Sequence, residues 1–528
     1  MMDLETLKKA KPGAIIPIIE EVPTTDAVGL FSRLSDYGRR KHSLFFESAD
    51  FVERYGEKSI GSANPSLHIV GRGEQFQIKA LNQQGLNMLH LIKKDFKFCD
   101  SAVFKKGAIA GKLIPKRKMV SEDQRLKLKT HIDILRTINS AFKQASPTPF
   151  PSCGLFGAFS FDFIDQFEDL PKSPNDPLND PDYEFYYLDN LFLTNHKEGK
   201  TYIVVNAIVT NEPRATLHKR LQKTIESYKK AINAPSPKVP KFKPIKRVIE
   251  TDTPQEEFRK IVLKMKEHII NGDIVQVVPS RTIITNYNAE PLDIYKNLRR
   301  LNPSPYMFYI NGNEGILLGA SPEMSVRVSN GMVQIRPIAG TKPRGIVKDK
   351  IDEDLDSKYE VELKTDPKEL AEHTMLVDLA RNDVARVSKA GTRYVDRPFF
   401  VEKYSHVQHL VSNVRGELKE NLDALHAYLA SMNMGTLTGC PKVMATKLIR
   451  LAEKNKRGFY GGAVGYLTSS GEFDSAIIIR SMRLKNKKAH IRAGAGIVFD
   501  SIPESEFIET EKKAQACLRA IELSGGFK

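Results

Sequence analysis

Two groups of glutamates are the residues of this chain best placed to do chemistry. Glu369 and Glu372 stand three apart in P-K-E-L-A-E-H-T-M-L-V-D-L-A-R-N-D, and Glu504, Glu506, Glu509 and Glu511 crowd the stretch after Ile502-Pro503. Carboxylates three apart on a helix share a face, and acids in a first turn complement the helix dipole, so either group alone reads as solvated surface. Facing each other across a cleft, they suit Mg2+, which keeps several waters and takes few protein ligands. The second group follows Ile491-Arg-Ala-Gly-Ala-Gly-Ile-Val-Phe499, whose glycines let an anion approach backbone N–H groups. Arg480 closes the apolar run 476–479 and suits a bidentate carboxylate contact, with Lys442 in T-G-C-P-K as a second such cation. The Gly340-Thr341 turn adds an N–H and a hydroxyl. His406 and His409 form H-x-x-H without a third nitrogen, which argues for a proton carrier and against zinc. Together these residues describe a Mg2+-dependent enzyme acting on a small molecule with several carboxylates.

The elements that must position these groups are legible in outline. Thr253-Pro254 opens a helix whose Phe258, Ile261, Val262, Met265 and Ile269 form one apolar face, stopped by Asn271-Gly272. A strand over 273–278 ends at Pro279, a long helix runs over 367–384, and late strands cover 461–467 and 476–480. Ile497-Val498-Phe499 reads as a strand resuming after the glycines. Earlier in the chain, strands are expected at 14–19, 43–50, 66–70, 75–80 and 202–209, with helices at 26–39 and, long and polar, at 121–143. The proline- and lysine-rich 234–244 is an extended linker. It divides the chain into 1–240 and 241–528. The pattern alone gives a mixed α/β protein.

With 528 residues, 41% apolar and 27% charged, the chain has ordinary globular composition. Its net charge of +16 invites a nucleic-acid reading, but the lysines are scattered in doublets such as Lys8-Lys9 and Lys487-Lys488, with no nucleic-acid-binding motif. The expectation is therefore no nucleic acid, and no membrane, since no run of about 18 apolar residues occurs. Cys99, Cys153, Cys440 and Cys517 are too dispersed for a zinc site or disulfide framework and fit a reducing, cytoplasmic setting.

The order and content of the motifs resemble the chorismate-utilising enzymes, and within them the large-subunit (component I) branch of the anthranilate synthases. The resemblance is carried by N-P-S-P-Y-M-F (302–308), G-A-S-P-E (319–323), P-I-A-G-T-K-P-R-G (337–345), E-L-A-E-H-T-M-L-V-D-L-A-R-N-D (369–383), H-V-Q-H-L-V-S (406–412), G-T-L-T-G-C-P-K (435–442), G-F-Y-G-G-A-V-G-Y (458–466), I-I-I-R (477–480) and A-G-A-G-I-V-F-D-S-I-P-E-S-E-F-I-E-T-E-K-K (493–513). It covers roughly 240–520, and F-E-S-A-D (46–50) is similar to the family's tryptophan-sensing segment.

The resemblance implies one large α/β (α+β) domain of two packed, mainly antiparallel sheets with outer helices. The N-terminal half, 1–240, would sense tryptophan, and 241–528 would bind chorismate. Glu372 and Glu509 would bind Mg2+, with Glu369 and Glu506 behind them. Gly340, Thr341, Tyr460, Arg480, Gly494, Ala495 and Gly496 would hold chorismate, and His409 and Glu323 would handle protons. Ser48, Lys58, Pro305, Tyr306 and Met307 would bind L-tryptophan as feedback inhibitor.

Two positions separate the relatives chemically. Members that add water carry a lysine base where this chain has Gln276, and ammonia needs no such base. Members that make the 4-amino product carry a lysine nucleophile where this chain has Ala339. The expected reaction is therefore attack of ammonia on chorismate followed by loss of pyruvate, giving anthranilate, rather than isochorismate or aminodeoxychorismate formation. No glutaminase domain follows the last motif, so a separate glutamine amidotransferase subunit (component II) is expected, in an assembly of two large and two small subunits.

Overall fold

The computed structural model describes residues 4–49, 58–115, 121–240, 242–348, 350–404 and 407–525. Asp50 and His406, both singled out above, lie outside them.

Among the described residues two large sheets, of twelve and thirteen strands, pack against each other through a shared apolar core. Every ladder among the described strands is antiparallel except the short pairing of Ala14–Val22 with Lys143–Gln144. Each sheet is built half from each end of the chain. In the first, Tyr306–Gly312 pairs with Ser43–Glu47; in the second, Ala463–Thr468 pairs with Gly154–Phe159. The halves of the chain therefore share two continuous sheets and form a single α/β domain.

The near-continuous apolar sequence of the central strands follows from this layering, because both faces of each sheet are covered. Successive strand residues point to opposite faces. Along Tyr306–Gly312, Phe308 and Ile310 enter the core between the sheets, with Leu44, Leu193, Phe156 and Val464. Met307 and Tyr309 point the other way, into a layer formed by helices Ala27–Leu34, Pro291–Leu301 and Pro503–Leu523. On the far side of the second sheet, Ile132–Ala141, Ala424–Ser431 and the C-terminal end of Pro367–Val387 cover Leu155, Phe159 and Phe185. Each large side chain buried this way contributes about 1.5–3 kcal/mol.

Several expected elements are shorter than the sequence suggests. The helix expected over 121–143 is two helices, Glu122–Arg125 and Ile132–Ala141. Between them the Thr130 N–H donates to Asp133 Oδ2 at 2.8 Å, a local bond that competes with helix continuation. The helix expected over 26–39 ends at Leu34, where Asp36 and Tyr37 turn to positive φ. Of the strand expected at 273–278 only Gln276–Val277 forms a ladder, against Gly439–Cys440. Ile497 keeps a single bridge to Val277, and the chain then loops to Pro503.

Candidate active site

A cavity of about 780 Å3 opens where the C-terminal halves of the two sheets meet. The first sheet contributes the end of Lys488–Gly494, and the helix Pro503–Leu523 follows on its rim; the second contributes Ile338–Pro343 and Val407–Glu417. Pro367–Val387 forms the facing wall. Its start is set by Asp366, whose side chain caps the N–H groups of Lys368 and Glu369, with Pro367 in the first turn.

Both acidic pairs reach this space: Glu369 and Glu372 from one helix, Glu506 and Glu509 from the other. Burial raises the carboxyls of Glu369, Glu372 and Glu506 above their ordinary value, and the negative charge of Glu509 raises each further. Two helices thus bring like charges together in a partly buried wall, at an electrostatic cost that a bound cation would relieve. Among the described residues no three His, Cys, Asp or Glu are gathered tightly enough to hold a metal alone. Such a donor set fits Mg2+, which completes its shell with water and substrate oxygens.

Gly340 shows why that turn carries glycine. It has φ +69° at a register shift in its ladder, and a Cβ there would meet Glu369 Oε2 at 2.7 Å. His409 sits across that ladder from Thr341, with Nδ1 3.2 Å from the Gly340 carbonyl oxygen and 3.0 Å from Thr341 Oγ1. Burial lowers its pKa, and Arg480 adds to the effect. Glu323 follows the strand Gly315–Ser321; burial pushes its carboxyl up to about 8, although Thr436 Oγ1 donates to Oε1 at 3.0 Å. Arg480 adopts φ +51°, a conformation uncommon outside glycine and recurrent at functional sites. Its guanidinium lines the cavity with Tyr460, Gly494 and Gly496. Gln276 and Ala339 also face this space, and Gln276 Oε1 is buried without a hydrogen-bond partner among the described residues.

Two expectations need correction. Ala495 does not face the cavity: its side chain packs with Phe258, Val262 and Ile497, and its N–H donates to the Pro279 carbonyl oxygen at 3.2 Å. Alternation along the chain turns it inward while both flanking glycines face out. Lys442 is not a free cation for substrate, because its Nζ donates to Asp383 Oδ2 at 2.6 Å and to the Ser431 carbonyl oxygen at 2.7 Å. The sequence reading also missed Thr436, Lys368 and Lys513 as cavity residues. Thr436 and Lys513 stand within the motifs 435–442 and 493–513, but nothing in a motif tells which way a side chain points.

A second cavity, of about 140 Å3, lies at the junction of the chain's two halves. Ser48, Lys58, Pro305, Tyr306 and Met307 all line it, joined by Phe46, Arg327 and Asp474. Ser48 Oγ is buried without a partner among the described residues, and Tyr306 Oη donates to Asp474 Oδ1 at 3.1 Å.

Residues 105–519 match the family model described as chorismate binding enzyme. The chain is 40% identical over 520 residues to anthranilate synthase component 1 of Vibrio cholerae, covering 98% of this chain and 97% of that one. It is 39% identical over 519 residues to the Escherichia coli component 1, covering 98% of both. Among solved structures, anthranilate synthase component I from Streptococcus pneumoniae superposes with a TM-score of 0.68 at 30% identity, over 87% of this chain and 92% of that one.

Proposed function

The chain belongs to the chorismate-binding enzyme family, and from that premise we propose that it aminates chorismate with ammonia and eliminates pyruvate, producing anthranilate. One observation carries the choice of reaction: Gln276 and Ala339, not lysines, face the cavity beside His409 and Glu323. A hydrating relative needs a base to activate water, and a relative that forms a covalent amine adduct needs a nucleophilic lysine. Ammonia needs neither.

Glu372 and Glu509 would hold Mg2+, which when bound would orient the ring carboxylate and offset its charge. The protein residues do the rest. Arg480 and Tyr460 grip the enolpyruvyl end, and the glycine turns at Gly340, Gly494 and Gly496 let the substrate lie against backbone. Glu323, protonated at neutral pH, gives its proton to the hydroxyl leaving C4 as ammonia adds at C2. His409, neutral, takes the C2 proton as pyruvate departs and the ring becomes aromatic.

Relatives are named component 1, and we extend this to a second component that releases ammonia from glutamine, in a two-plus-two assembly. All four cysteines of this chain are free, and burial raises each thiol's pKa. They suit a reducing cytoplasm and leave no activated thiol here to hydrolyse glutamine. The second cavity is the proposed L-tryptophan site.

The test is isotopic. Incubation with chorismate, Mg2+ and a large excess of 15N-ammonium near neutral pH should give labelled anthranilate and one equivalent of pyruvate. An unlabelled product formed without pyruvate would point instead to isochorismate.

A further inference from the structure

The carboxylate wall of the candidate active site carries its own cations. Lys368 stands one turn before Glu372 on the same helix, its Nζ 3.9 Å from Glu372 Oε1. Lys513 stands one turn after Glu509, its Nζ 2.5 Å from Glu509 Oε1 and 3.0 Å from the Gly494 carbonyl oxygen. Each of the two carboxylates assigned to Mg2+ is therefore partnered by a lysine at i,i+4. The two lysines are held differently. Lys513 is anchored at two points and only a third exposed, whereas Lys368 is 57% exposed and makes one long side-chain contact among the described residues. A third lysine, Lys512, lines the same cavity and forms no ion pair with a described carboxylate.

We infer that Lys368 is a resident counter-cation, which neutralises the carboxylate wall in the metal-free protein and must be displaced from Glu372 when the divalent ion enters. The inference rests on the assignment of Glu372 and Glu509 as metal ligands. A dication on the Glu372 oxygen would lie within a few ångströms of the ammonium, and repulsion at that distance is appreciable even in a high dielectric. Lys368 leaves by rotating a solvent-exposed side chain, at little conformational cost. Lys513 stays on the Gly494 carbonyl, which leaves Glu509 Oε2 for the metal. The lysine thus lowers metal affinity and keeps the empty wall from repelling itself.

The test is Mn2+ binding to the full chain without substrate, with free Mn2+ counted by electron paramagnetic resonance. Lys368→Gln should tighten binding about threefold to tenfold. Lys368→Arg, which keeps the charge, should stay near the parent, and Lys512→Gln should change affinity less than about twofold. Unchanged affinity in Lys368→Gln would overturn the inference. So would equal tightening in Lys512→Gln, because then any nearby charge suffices and no displacement from Glu372 is involved. Glu372→Gln and Glu509→Gln separate the premise from the inference: if they leave Mn2+ binding intact, the metal assignment itself fails.

Discussion

His409 Nδ1 lies 3.2 Å from the carbonyl oxygen of Gly340 and 3.0 Å from Thr341 Oγ1. A carbonyl oxygen only accepts, so Nδ1 carries the proton and the lone pair of Nε2 is left for the cavity. Because burial and Arg480 both lower its pKa, the ring remains a neutral base below its ordinary value of 6.5. His409→Ala should reduce kcat by about 10^2- to 10^4-fold with little change in KM. The acid limb of the parent's rate profile should lie below that ordinary value. Steady-state kinetics against pH, at fixed free ammonia, checks both.

Glu323, the proposed proton donor, would link activity to stability. Its carboxyl is raised from 4.5 to about 8 by burial, so between those values the folded state binds a proton that the unfolded state has released. Its contribution to stability is complete below the lower value and is lost as pH rises through the upper one. Glu323→Gln should therefore abolish turnover, yet unfold at a higher temperature than the parent at alkaline pH. Thermal melts at acidic and alkaline pH would read this directly, and a variant less stable than the parent at alkaline pH would contradict it.

The site was more legible in the sequence than the fold that carries it. Glycines beside apolar runs and paired carboxylates are short-range signals, and the cavity gathers nearly all the residues they marked. Ala495 was misread because one residue of alternation reverses a side chain. The broken helix at 121–143 turned on one side-chain bond at Asp133. The joining of the halves through Phe308 with Phe46, and Val464 with Ala158, is long-range pairing that local pattern does not encode.

The second cavity makes a separate prediction. Ser48 Oγ is buried with no partner among the described residues, so an inhibitor's polar group would satisfy it. Ser48→Ala should raise the inhibition constant for L-tryptophan at least about tenfold, the loss expected for one buried hydrogen bond, and leave uninhibited kcat unchanged. Inhibition titrations of the two proteins decide it, and full sensitivity in the variant would refute the assignment.

Glu453 is the polar keystone beneath the cavity floor. Burial opposes its charge, but Arg457 and Arg492, each 2.6 Å away, hold its carboxyl below the usual range. Arg492 lies two residues before Gly494 in the strand that ends at the cavity. Glu453→Ala would leave two buried guanidinium groups uncompensated, at a cost of about 3–5 kcal/mol. Chemical denaturation should show that loss, and a near-parent midpoint would show the cluster to be dispensable.

The most direct single measurement is the blue fluorescence of anthranilate, followed in one cuvette with the chain, chorismate, Mg2+ and ammonium, before and after addition of L-tryptophan. The chain contains no tryptophan, so product emission is read against a low protein background. The expected result is a steady rise that requires ammonium and Mg2+ and that L-tryptophan suppresses. Chorismate consumed without fluorescence or pyruvate, or a chain inert in the presence of all three components, would contradict it.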